Sequence, residues 1–163
     1  MSKNAALAAM IVCYLVPILY VWCNYNSNTS VSNIICDDNC KHIILTFMIL
    51  MGIGTLFYEI QRNDTYSIVI ISVLLLGIYG LISVKETNTL HYVFAFLAFM
   101  SIMFFMVRHC YTTNCDNVLI SSLILQIIMM FVIVANMNND IFYSEVIYIL
   151  NFAFYYLYLH FIE

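Results

Sequence analysis

The chain is predicted to be all-α, a polytopic membrane protein forming one bundle of six transmembrane helices, and three observations predict it. Of its 163 residues, 64% are hydrophobic and only 9% charged, with a mean hydropathy of +0.96, a balance that a water-soluble domain of this size does not present to solvent. The apolar residues gather in six runs, about 5–23, 42–60, 66–84, 91–107, 118–135 and 145–161. Each is close to the roughly 20 helical residues that cross a hydrocarbon core of about 30 Å. Four glycines and one proline are too few for a barrel with many turns, and the runs do not alternate as barrel strands do, so helices must satisfy the backbone in lipid.

Lys3 precedes the first run, which carries Tyr14, Pro17 and Tyr20. It is longer than the apolar region of about 7–15 residues in a secretory signal, so it is predicted to be retained, with a kink at Pro17. The polar segment after it, Asn24 to Lys41, holds the glycosylation sequon Asn28-Thr29-Ser30 and the cluster Cys36-Asp37-Asp38-Asn39-Cys40. On the lumenal or outer side, Asn28 is predicted to be glycosylated, and a disulfide is predicted between Cys36 and Cys40 or from one of them to Cys23. Metal binding by Cys36, Asp37, Asp38, Cys40 and His42 would use suitable ligand types, but at a spacing that matches no standard zinc pattern.

The second run contains Gly52, Gly54 and Thr55 and ends in Glu59, Gln61, Arg62 and Asp64. A second sequon at Asn63 lies too close to the membrane to be modified. In the third run, Gly77, Gly80 and Ser83 recur every three residues, and in the fourth so do Ala95, Ala98 and Ser101. The turn between them, Lys85 to Leu90, is short enough to make the two helices antiparallel neighbours packed through these small-residue ridges. Such ridges also offer faces for a homo- or hetero-oligomer. His91 lies beside the fourth run's ridge and is predicted to bond through one ring nitrogen, with Glu86 in the turn or a group on another helix as candidate partners.

After the fourth run comes His109-Cys110-Tyr111-Thr112-Thr113-Asn114-Cys115-Asp116. Ser122 and Gln126 share a face of the fifth run and should point into the bundle. Along the sixth, which opens with Glu145, Tyr148, Asn151, Tyr155 and Tyr158 form a polar-edged aromatic stripe suited to packing. An amino-terminus in the cytosol places Lys3, Arg62 and Arg108 inside against Lys41 and Lys85 outside. In that orientation both chain ends are cytosolic, and Cys110 and Cys115 are predicted to be reduced thiols, with juxtamembrane palmitoylation as the alternative.

The function classes narrow by chemistry. With five Lys and Arg against nine Asp and Glu, a net charge of -4, and no basic run, nucleic acid is excluded as a partner, which leaves membrane lipids. No Ser-His-Asp order, HExxH motif or Gly-rich phosphate loop appears, so a non-enzymatic protein with no catalytic residue, resident metal or cofactor is favoured. Quinone-linked thiol oxidoreductases usually display Cys-x-x-Cys, a spacing absent here. One alternative is a transmembrane electron carrier with haem between the pairs His42/His91 and His109/His160. The about five helical turns from His91 to His109 put those two on one side of their helix. A second alternative is a small channel or transporter built around Ser122, Gln126 and Asn151.

The stretch Leu74 to Phe99 joins a small-residue helix, a short polar turn with Glu86, and a histidine opening a helix that continues Phe-Ala and Ala-Phe. Together with the cysteine-flanked turn after His109 and the Tyr-rich last run behind Glu145, it resembles the damage-regulated autophagy modulator (DRAM) family and its FRAG-type relatives that remodel GPI lipids. The resemblance covers about a quarter of the chain and carries over His91, with Glu86 as its neighbour. It implies a six-helix protein of endomembranes or the plasma membrane, concerned with lipid organisation, autophagy and trafficking, or GPI-lipid maturation.

Overall fold

The computed structural model describes residues 3–24, 30–36, 40–85, 87–113, 115–136 and 141–162, without the side chains of residues 3, 4, 6, 7, 24 and 160. Among the described residues there are seven helices and no strand: α1 (Lys3–Asn24), α2 (Val31–Ile34), α3 (Lys41–Arg62), α4 (Thr65–Ser83), α5 (Thr89–Thr112), α6 (Asn117–Ala135) and α7 (Phe142–Ile162). The chain is thus all-helical, and α3, α4, α5 and α6 are long and apolar enough to cross a membrane. The short α2 was not expected from the sequence, where its residues read as loop.

Local chemistry sets the boundaries. Asn63 ends α3 in the left-handed conformation at φ 56°, which asparagine tolerates better than most side chains. The next residue, Asp64, caps α4 by accepting from the Tyr66 and Ser67 N–H groups, so two residues suffice to reverse the chain. Asn88 caps α5 and Asp116 caps α6 in the same way, through the Leu90 and Leu119 N–H groups. Pro17 lies inside α1 without ending it.

The long helices form a closed ring in the order α1, α3, α4, α5, α6, α7 and back to α1, with α2 against α7. The closest pairing is α4 on α5. A side chain at Gly77 would bring its Cβ within 2.9 Å of the Ala98 backbone nitrogen, and one at Gly80 would run into the Phe94 ring, so only glycine permits this approach. The last helix is the most enclosed: Tyr148, Tyr155, Tyr156 and Leu159 are fully buried.

Large apolar side chains face outward on every long helix, among them Leu19, Ile53, Leu76, Phe104, Phe131 and Phe154, while Glu59, His91, Gln126, Glu145 and Asn151 are buried. An apolar exterior around buried polar groups is the arrangement that suits a hydrocarbon surround. It points to a membrane protein.

Candidate functional site

Polar chemistry gathers in three places. At the end of the bundle where α1 and α7 meet α2, Glu145 projects from the first turn of α7 and is 2% exposed. One carboxylate oxygen accepts from the Val31 and Ser32 N–H groups and the other from the Ser32 hydroxyl. The carboxylate thereby pins α2 across the helix ends. Beneath lies a cavity of about 140 Å³ with walls from α1, α3, α4, α5 and α7, including Met48, Ile78, Ile102 and Ile149, and only Ser32 and Glu145 bring polar groups to its α2 end.

His91 stands at the same end, 1% exposed. Its Nδ1 is 3.1 Å from the Val84 carbonyl, so Nδ1 carries the proton and donates, while Nε2 has no partner among the described residues. The fold brings the last residue of the α4 cap to the imidazole. Glu86, the neighbour expected from the sequence, lies outside the described residues, as does Asn28.

Midway through the bundle, α6 and α7 share a polar knot. The Ser122 hydroxyl donates to Asn151 Oδ1 at 2.8 Å, and Asn151 Nδ2 donates to the Ser122 carbonyl at 2.9 Å and to Gln126 Oε1. Gln126 Nε2 in turn donates to the Tyr148 carbonyl at 3.1 Å. These groups spend their hydrogen bonds on one another.

The third gathering is at the end where α1 begins and α7 finishes. Here Tyr156 donates to Glu59 at 2.6 Å, and Arg62 lies 3.2 Å from the same carboxylate. Arg108 makes two bonds to Asp64, at 2.6 and 2.9 Å, a third to Ser67, and covers the Tyr66 ring. Burial alone would raise the Asp64 carboxyl, but the hydrogen bonds from Arg108 and Ser67 outweigh it and hold the group down at about 2. The Leu119 N–H and the Tyr158 hydroxyl likewise hold the Asp116 carboxyl below its ordinary value.

Beside these groups, Cys110 and Cys115 are joined by a disulfide, their Cα atoms 5.1 Å apart. This corrects the expectation of reduced thiols. The helix α5 runs on to Thr112, and a tight turn through the Cys115 N–H to the Thr113 carbonyl folds Cys115 back onto it, within the usual span for a bridge. Cys23, Cys36 and Cys40, the candidates for a disulfide in the first loop, are not bridged to one another in the structure. The Cys36 Sγ donates instead to the Asn33 carbonyl at 3.0 Å, because α2 turns it back on its own helix. Residues 37–39, with Asp37 and Asp38, lie outside the description.

His109 is 5% exposed, with Nδ1 2.8 Å from the Tyr155 hydroxyl and Nε2 3.4 Å from Thr113 Oγ1. A ring nitrogen of His109 and the sulfurs of Cys110 and Cys115 lie within 4.8 Å of one another. That is metal-binding distance, yet sulfurs bonded to each other are not thiolate ligands. For the proposed haem pairs, His42 is exposed on α3 while His91 is buried on α5, and both nitrogens of His109 already face protein groups. The His160 side chain lies outside the described residues.

The chain matches no protein-family model, no curated protein and no solved structure.

Proposed function

We propose that this is a non-enzymatic, multi-pass membrane protein that holds a hydrocarbon segment of a membrane lipid between its helices and so acts on lipid organisation. In this reading α1 and α3 to α7 cross an endomembrane or the plasma membrane with both chain ends in the cytosol. The observation that carries it is the cavity of about 140 Å³ under α2. Apolar cavities of about this size stay dry and take small hydrocarbons. A chamber walled by apolar side chains, in a protein surrounded by hydrocarbon, is filled more favourably by lipid than by water. The resemblance to the DRAM and FRAG-type proteins supports a role of this kind, in membrane organisation, trafficking or GPI-lipid maturation.

The test is native mass spectrometry of the protein released from mild detergent. A lipid adduct is expected in the wild type and is expected to be lost from Ile149→Trp, which fills the chamber. A wild-type protein free of lipid, or an adduct indifferent to the tryptophan, sinks the reading. Glycosylation mapping tests the orientation, with modification expected at Asn28 and none at Asn63.

A further inference from the structure

Nothing in the lipid reading uses the chemistry around the Cys110–Cys115 bridge. We propose that this pair is a thiol–disulfide exchange site, which accepts two electrons from a dithiol formed by two cysteines of a peptide segment.

Three features carry it. First, buried proton-carrying groups are aimed at the sulfurs. The Tyr155 hydroxyl lies 3.2 Å from Cys110 Sγ and 3.8 Å from Cys115 Sγ, and His109 Nδ1 lies 3.8 Å from Cys115 Sγ. A bridge that only staples the chain needs no imidazole or phenol at its sulfurs. Second, these groups are held rigidly. His109 stacks on Phe105 and meets Tyr155 edge-on, and Tyr155 is fully buried on α7, so both are fixed by the helix ring rather than by the turn that carries Cys115. Third, the bridge lies at the edge of the bundle and not in its core: Cys110 and Cys115 are half-buried, and Tyr111 between them is 91% exposed. The loop they close is only five residues, where a crosslink removes the least chain entropy and is least valuable as a staple.

The exchange balances without another reagent. A thiolate of the incoming dithiol attacks Cys110 Sγ, the Cys110–Cys115 bond breaks, and Cys115 leaves as a thiolate. His109, relayed by the Tyr155 hydroxyl, supplies the proton that neutralises it and is reprotonated by the proton the attacking thiol released. The second thiol then attacks the peptide sulfur of the mixed disulfide and expels Cys110 as a thiolate, which takes up the second proton. The peptide dithiol becomes a disulfide, and Cys110 and Cys115 become two thiols.

The probe is a reduced two-cysteine peptide added to the full-length protein in mild detergent, with maleimide labelling of Cys110 and Cys115 read by mass spectrometry. The pair should be reduced while the protein stays folded, and Cys115→Ser incubated with the oxidised peptide should trap a mixed disulfide on Cys110. His109→Gln should slow reduction by at least about tenfold at neutral pH and flatten the pH–rate profile. Should that variant fail to fold, Tyr155→Phe, which keeps the buried ring, should show the same slowing. Reduction only after unfolding, no trapped adduct, or a wild-type rate and profile in the folded variants each overturns the proposal.

Discussion

Two neighbouring helix pairs in this ring are joined by opposite means. Where α4 meets α5, Gly77 and Gly80 bring the backbones so close that packing itself is the bond. Where α6 meets α7, Ser122, Gln126 and Asn151 close a hydrogen-bonded knot between helices that stand further apart in character, one strongly apolar and one rich in tyrosine. In lipid there is little hydrophobic gain from pressing one apolar helix on another, so helices associate through close contact or through polar groups that have no better partner. The two joints should fail differently. Contact fails when volume is added, and the knot fails when a partner is removed.

The largest effect is expected from added volume. Gly77→Val must displace backbone rather than a side chain, because the new Cβ meets the Ala98 nitrogen, and overpacking of this kind costs about 3 kcal/mol. Thermal unfolding in detergent should show a loss of several degrees or a failure to fold. A Gly77→Val protein with wild-type stability would mean that α4 and α5 are held by something other than contact.

Removing a partner from the knot should cost less. In Asn151→Leu, Gln126 Oε1 and the Ser122 hydroxyl lose their buried partner, for about 1–2 kcal/mol. Pairing Asn151→Leu with Ser122→Ala in a double-mutant cycle should show strong coupling, since both belong to one network. Additive losses would dissolve the knot as a unit.

The contact pair also has an electrostatic clasp, from Arg108 at the end of α5 to Asp64 at the start of α4. With its carboxyl held at about 2 instead of the ordinary 3.8, Asp64 contributes stability that is fully present above the ordinary value and is lost as pH falls through about 2. Both side chains are about a quarter exposed, so after solvent screening the clasp contributes about 1–2 kcal/mol. Asp64→Asn should therefore lower the unfolding temperature at neutral pH, and its difference from wild type should shrink between about pH 4 and about pH 2. A constant difference across that range would show that capping of α4, and not the charge, is what Asp64 supplies.

How much of this was legible depends on whether a feature is local. The six apolar runs and the approach of Gly77 to Ala98 follow from spacing alone, because helix periodicity fixes which residues share a face, whereas Gly80 meets the Phe94 ring. Ser122 and Gln126 were placed inward by the same rule. The role of Glu145 was not legible: its partners, Val31 and Ser32, are 114 and 113 residues away, and nothing in a polar loop announces a single-turn helix. The Cys110–Cys115 bridge was missed for a different reason. Orientation was inferred from three basic residues against two, yet Arg62 and Arg108 on the majority side are bound to Glu59 and Asp64. Placing that end in the cytosol predicts thiols whatever the turn does. The turn geometry that joins the sulfurs depends on where α5 stops.

The smallest expected effect separates packing from hydrogen bonding inside the contact pair itself, at His91. The imidazole fills space at the start of α5 and donates one bond to the Val84 carbonyl, while its Nε2 is buried with no partner among the described residues. His91→Ala removes the ring and the bond together and should cost about 1–3 kcal/mol. His91→Phe keeps a ring of similar shape, gives up the bond, and also removes the unpaired nitrogen, so the loss and the gain nearly cancel and the change should stay within about 1 kcal/mol. Comparing the unfolding temperatures of the two variants reads the difference directly. If phenylalanine is as damaging as alanine, then Nε2 has a partner in the membrane, and the α4–α5 contact depends on a polar anchor much as α6 and α7 do.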